Sequence, residues 1–182
     1  MELTEKKLER EDKYSGVIID VHVDKVELVD GSTSLREIVE HPGGVAIVPV
    51  DDEGNIYCVR QYRYAMGEEL LETPAGKIDE GEETLTCAMR ELSEETGFTA
   101  QHYEYLGEIY PSPGFCAETL YAYLATGLVR GEKHLDEGEF LEVEKYPFDK
   151  LYNMALSGEL KDAKSVIAIL RAKPFLSRED DE

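Results

Sequence analysis

Apolar residues recur at two periods along this chain, and the changes of period divide it into elements. Residues 1–13 carry no apolar rhythm and read as a charged lead-in, frayed at its start. From Tyr14 to Leu28 apolar and polar residues alternate. Val17, Ile19, Val21 and Val23 take one side, His22 and Asp24 the other, and the phase changes at Lys25, which predicts a bulge or bend. Asp30-Gly31 predicts a hairpin turn and Leu35 to Glu40 the returning strand. Such a unit buries little by itself, so it must pack on the rest of the chain or on a second copy.

After the breaker His41-Pro42-Gly43-Gly44, the run Val45 to Val50 is continuously apolar, as in a strand covered on both faces. Ile56 to Tyr64 predicts a second strand, and Leu70 to Ala75 leads into a loop. A helix follows, with Thr84 as its cap and Gly97 just past its end. Leu85, Ala88, Met89 and Leu92 form its apolar stripe. Strands are predicted over His102 to Tyr110, Thr119 to Ala125 and Phe140 to Lys145, with an acidic loop at 131–138. The helix Phe148 to Ser157 ends at Gly158, and a last helix runs from Asp162 to Lys173, stopped by Pro174. Strands mixed with central and terminal helices give an α+β class, layered as an α/β/α sandwich. Residues 1–42 form the N-terminal antiparallel strand unit and 43–182 the main domain.

The central helix carries a conflict. Glu91, Glu94 and Glu95 share a face, and like charges at these spacings repel by about 0.2–0.5 kcal/mol per pair. The local segment offers only Arg90 as counter-charge. Either the face is a solvated acidic surface, or it binds hard divalent cations, which prefer carboxylate oxygens.

Charge narrows the partners. The formal net charge of -21 over 182 residues leaves nothing to neutralise a nucleic-acid backbone or an anionic membrane surface. Cys58, Cys87 and Cys116 are widely spaced and odd in number, as expected of free thiols in a reducing compartment. The charged N-terminus is no secretory signal, so the expectation is a cytoplasmic protein.

Gly76, five residues, Glu82, seven residues, then Arg90-Glu91-Leu92-Ser93-Glu94-Glu95-Thr96-Gly97-Phe98 resembles the signature of the Nudix hydrolases at every position. REIVEHPGGVAI, VRQYRY, ETPAGK, YPSPGFCAE and Pro113 within it, and LDEGEFLEV resemble the bacterial ADP-ribose pyrophosphatase subgroup over almost the whole chain. The resemblance implies the Nudix fold, a mixed sheet between helices. It implies cleavage of ADP-ribose to AMP and ribose 5-phosphate with Mg2+ or Mn2+. It implies Glu91, Glu95 and the Ala75 carbonyl as metal ligands, with Glu94 as ligand or bridge. Arg90 and Glu82 would orient these carboxylates, a role compatible with a structural salt bridge between them.

In the subgroup the acidic loop brings a catalytic carboxylate to the attacking water. Glu137 is the candidate base, with Glu139 as alternative or metal ligand; read without the resemblance, both belong to a solvated turn. Arg36 and Arg63 are candidates for the diphosphate, against a bland reading as strand-surface charges. Glu72 is a candidate for adenine or ribose, Gly114 and Glu118 for the terminal ribose. Tyr14 either stacks on adenine or packs its strand. The N-terminal strands are exchanged across a homodimer in the family. Two other readings stand beside this one: the same chemistry on a sugar nucleotide or dinucleotide, and a non-catalytic ADP-ribose-sensing domain.

Overall fold

The computed structural model describes residues 3–135, 138 and 140–176. The chain divides into two units, Met1–Gly43 with Tyr110–Thr119, and Gly44–Ile109 with Leu120–Glu182.

The first unit is an antiparallel sheet of β1 (Lys6–Ser15), β2 (Asp20–Glu27) and β3 (Thr33–Glu40), in that order. The expected charged lead-in is therefore a strand. All of β1 is solvent-exposed, so no burial selects apolar residues at alternate positions, and the strand leaves no period to read. Its hydrogen-bond ladder to β2 holds it instead. The expected irregularity at Lys25 is absent from β2, which pairs with β3 without a break; the bulges lie in β1, between Lys7 and Glu9 and between Asp12 and Tyr14. The turn at Asp30-Gly31 forms as expected. Ser32 donates from N and Oγ to Asp30 Oδ1 at 2.9 and 2.6 Å, and Gly31 has φ 82°. The face of β2 that is buried carries His22 and Asp24 with Val26. Arg10 offsets that polarity by donating from Nε to Asp24 Oδ1 at 3.1 Å. Residues 112–117 run beside β3, since Val39 N donates to Phe115 O and Ala117 N to Val39 O.

The second unit contains β4 (Gly44–Pro49), β5 (Asn55–Arg63), β6 (Glu68–Glu72), β7 (Ala75–Lys77), α1 (Thr84–Thr96), β8 (Phe98–Ile109), β9 (Leu120–Arg130), β10 (Leu141–Pro147), α2 (Phe148–Ser157) and α3 (Ala163–Leu176). One sheet has the order β7-β4-β9-β8, with β4 and β9 parallel and the other pairs antiparallel; the second is antiparallel, β10-β5-β6. The mixed sheet sits between helices. Val45 and Ile47 pack with Cys87, Ala88 and Leu92 of α1, while Val48 packs with Ile56, Leu151 of α2 and Ile169 of α3. Burial on both faces is why β4 reads as an unbroken apolar run.

The helices depart from expectation at two ends and on one face. Glu83, not Thr84, is the residue before α1, and it makes no side-chain cap; Thr84 Oγ1 instead bonds Tyr123 OH at 2.6 Å, a partner supplied by β9. The buried face of α1 is Cys87, Ala88, Leu92, Glu95 and Thr96, whereas Leu85 and Met89 are exposed. The stripe is thus rotated toward the glutamates. Pro174 does not stop α3, which continues to Leu176. Phe175 and Leu176 pack on the core, and that contact outweighs the loss of one N–H near the helix end. Gly97 and Gly158 end α1 and α2 in the left-handed conformation, as expected. No described helix is long and apolar enough to cross a membrane.

Candidate active site

The loop into α1 and the first turns of that helix are tied by one guanidinium. Arg90 Nε and Nη2 donate to Glu82 Oε1 and Oε2 at 3.0 and 2.9 Å. Its Nη1 donates to Glu91 Oε1 at 2.7 Å and to Glu94 Oε2 at 2.9 Å, and Nη2 also reaches the Lys77 carbonyl at 3.1 Å. The bond from Arg90 holds the Glu82 carboxyl down at about 2, and Glu82 in turn raises Arg90. Arg90 thereby supplies the counter-charge that Glu91 and Glu94 require on one helix face.

Gly76 on β7 leaves room for one of these carboxylates. A Cβ at Gly76 would lie 1.9 Å from the carboxyl carbon of Glu91. One turn further along, Glu95 is buried at 1% exposure and accepts the Ala75 N–H at Oε2, 2.9 Å. Pro74 O accepts from Ile47 N at 2.8 Å, so the strand that carries Ala75 is fixed from β4 as well. Glu91, Glu95 and the backbone of 75–76 therefore belong to one small region, with Glu94 joined to it through Arg90. Their donors are all hard oxygens, the set suited to Mg2+ or Mn2+ rather than to a softer metal. Among the described residues no three His, Cys, Asp or Glu side chains already converge as a metal cluster. Glu91 leans on Arg90 through Oε1, Glu94 through Oε2, and Glu95 on Ala75 N–H through Oε2, so each bond engages one carboxylate oxygen and orients the other.

Arg63 and Glu72, predicted as separate ligand contacts, bond each other. Nε and Nη2 of Arg63 donate to Oε1 and Oε2 of Glu72 at 2.6 and 2.7 Å. Glu72 is buried, which pushes its carboxyl up, but Arg63 and Lys164 outweigh that and hold it below its ordinary value. The Glu72 pair raises Arg63, with Glu95 contributing more weakly through space. Lys164 Nζ lies 2.5 Å from Glu72 Oε2, and Thr73 N donates to Ser165 Oγ at 2.7 Å. Lys164 and Ser165 were not among the predicted site residues. Asp162 had a local signal as the α3 cap; Lys164 and Ser165 have none, because their partners lie 92 residues away.

The remaining predicted residues stand in the first unit. Tyr14 is mostly exposed, and its ring lies over Gly16, where a Cβ would meet Cε1 at 2.6 Å. Arg36 pairs with Glu5 through Nε and Nη2, and its Nη1 donates to Ser34 Oγ and the Leu35 carbonyl. Gly114 is exposed with open space about its Cα, and Glu118 Oε1 is 3.5 Å from His41 Nδ1. Glu137 and Glu139 lie outside the described residues. A cavity of about 600 Å³ is bordered by Arg60, Tyr62 and Phe140, and none of the described predicted site residues lines it.

Residues 40–168 match the model of the NUDIX domain. The chain is 43% identical over 169 residues to a protein named ADP-ribose pyrophosphatase from Bacillus subtilis (strain 168), covering 92% of this chain and 91% of that one. It is 40% identical over 167 residues to a protein named methanol dehydrogenase activator from Bacillus methanolicus, covering 91% and 90%. A crystal structure titled as an ADP compounds hydrolase superposes with a TM-score of 0.86 over 98% of both chains at 23% identity, a likeness of fold.

Proposed function

Because the chain belongs to the NUDIX family, we propose that it hydrolyses the diphosphate of ADP-ribose to AMP and ribose 5-phosphate. The observation that carries the reading is the pairing of Glu95, buried on α1, with Ala75 N–H, beside a glycine at 76 against which Glu91 packs. The name of the Bacillus subtilis relative supports the substrate.

Enzymes of this family generally depend on a divalent metal, and here Mg2+ is proposed, with Mn2+ as a substitute. Glu91, Glu95 and the Ala75 carbonyl would hold it, with Glu94 as a further ligand or bridge. When bound, such an ion offsets the charge of the diphosphate and acidifies water. The chain's own residues do the rest. Arg90 fixes the orientation of Glu91 and Glu94, and Glu82 fixes Arg90. The guanidiniums of Arg63 and Arg36 suit phosphate oxygens, Arg36 after releasing Glu5. Tyr14 is assigned to the adenine face, and Gly114 and Glu118 to the terminal ribose; Glu72, buried with its oxygens bonded to Arg63 and Lys164, anchors Arg63 instead of meeting adenine or ribose. Water attacks one phosphorus, the bridging P–O bond breaks, and the proton passes to Glu137, with Glu139 as the alternative acceptor. The strand exchange that the resemblance implies supports a homodimer as the active species, and the charged N-terminus and three separate cysteines support the cytoplasm as its place.

The test is incubation of the purified protein with ADP-ribose and Mg2+. AMP and ribose 5-phosphate should accumulate in equal amounts, and no AMP with any divalent metal overturns the reading. Light scattering should return twice the 20.5 kDa chain mass; a monomer removes the exchanged-strand assignment.

A further inference from the structure

We propose that Lys164, at the start of α3, is a positioning residue that holds the Glu72 carboxylate from behind and, through it, the plane in which Arg63 is offered to the substrate. The proposal rests on the ADP-ribose reading above in giving Arg63 a diphosphate to meet.

The geometry is a line of charges. Glu72 is 1% exposed and receives two cations on one carboxylate: Arg63 through Nε and Nη2, and Lys164 through Nζ on Oε2. Lys164 is nearly buried, its side chain 12% exposed, whereas the side chain of Arg63 is 42% exposed. The two cations therefore differ in what they can do. Lys164 faces the interior, while Arg63 retains access to solvent. A guanidinium has five N–H donors; two are taken by Glu72, and Arg63 makes no other hydrogen bond to a described residue. With Arg63 and Glu72 alone, the pair is neutral and offers an anion little. Lys164 brings no net surplus either, because Asp162 Oδ1 lies 3.0 Å from its Nζ and the four charges sum to zero; what it adds is a second anchor on the Glu72 carboxylate. Asp162 also caps α3, accepting Ser165 N and Ser165 Oγ at Oδ2, so it fixes Lys164 on the helix start.

The same helix start fixes position as well as charge. Ser165 Oγ accepts Thr73 N at 2.7 Å, so residues 72 and 73 are both tied to α3. Two residues later, Ala75 bonds Glu95. A bidentate Arg–carboxylate fork fixes the guanidinium plane only when the carboxylate itself is immobile. Lys164 and Ser165 provide that immobility from 92 residues further along the chain.

The experiment compares wild type with Lys164→Met and Lys164→Arg. Met keeps the aliphatic volume and removes the charge; Arg restores the charge. KM for ADP-ribose should rise about tenfold or more in Lys164→Met, with kcat changed much less, and Lys164→Arg should recover most of it. A second readout needs no turnover. The Arg63 Nε–H resonance, identified by its loss in Arg63→Lys, should be sharp and slow to exchange in wild type and Lys164→Arg. In Lys164→Met it should broaden or vanish. If Lys164→Met does not fold, Lys164→Gln, which keeps a donor but no charge, takes its place. An unchanged Arg63 resonance and unchanged KM in the neutral variant overturn the proposal. So do equal losses in the Met and Arg variants that track a lower Tm, since that is a purely structural role. A wild type without ADP-ribose activity refutes the substrate reading instead, and the resonance then decides the positioning by itself.

Discussion

The carboxyl carbon of Glu91 stands 1.9 Å from the point a Cβ on Gly76 would occupy. The glycine is there for space rather than for an unusual backbone angle, since it is not among the positive-φ glycines. The group it accommodates is the flexible end of Glu91, a proposed metal ligand. A Gly76→Ala substitution should therefore displace Glu91 and leave the fold standing. Activity should fall by about 10²-fold, the scale on which a misplacement of about 1 Å is felt. Thermal unfolding should change little, and metal titration should show weaker uptake. A large loss of Tm with parallel loss of activity would contradict the assignment.

Glu95 is the proposed ligand whose substitution tests the metal assignment most directly. Glu95→Gln keeps the shape and one acceptor for Ala75 N–H but removes the charge. Turnover should drop by at least the ~10–100-fold that attends the loss of even an outer partner of a metal ligand. Chelation of divalent ions should abolish wild-type activity reversibly, with Mg2+ restoring it. Calorimetric Mg2+ uptake equal in wild type and Glu95→Gln would remove the residue from the ligand set.

Acid should weaken the loop that leads into α1. The Glu82 carboxyl is held at about 2 by Arg90, below its ordinary value of about 4.3. A depressed carboxyl stabilises the fold fully above its unfolded-state value, and that contribution is lost as pH falls toward the folded-state one. The Tm difference between wild type and Glu82→Gln should thus be constant near neutrality and shrink from about pH 4.3 down to about 2. A difference that does not vary over that range would show that Glu82 acts through packing alone.

Burial pushes the Cys58 and Cys87 thiols up to about 12, so neither is a thiolate at neutral pH. Cys116 is partly exposed. In the native protein a thiol reagent should modify one cysteine per chain, and Cys116→Ser should abolish that reaction. In denaturant all three of the wild-type cysteines should react.

Leu92 is fully buried on α1 between Glu91 and Glu95, in the cluster with Val45 and Ile47. Leu92→Ala should cost about 2–5 kcal/mol of stability, read by denaturant unfolding. The helix spacing of Glu91 and Glu95 would survive, so activity per folded molecule should fall less than in Glu95→Gln.

Local chemistry was legible from residue order. The spacing from Gly76 to Phe98 identified the helix and its carboxylates before any coordinate was known, because glycine turns, helical repeats and charge spacing act over a few residues. β4 and α2 were readable for the same reason. β1 was not, since an exposed strand held only by its neighbour leaves no apolar period. The buried side of α1 lies a notch from the apolar stripe of its sequence, because which stripe is covered depends on β4 and Tyr123. Pro174 was read as a stop, and packing of Phe175 and Leu176 carried the helix past it.

Residue order by itself determined which groups lie together on and beside one helix: three carboxylates, an arginine among them and a glycine before them. Tertiary structure alone decided which charges meet. Lys164 reaches Glu72, and Glu95 reaches Ala75, only because the sheet brings distant segments together. No short-range preference encodes a contact whose cost is closing a long loop and whose gain is burying a paired charge.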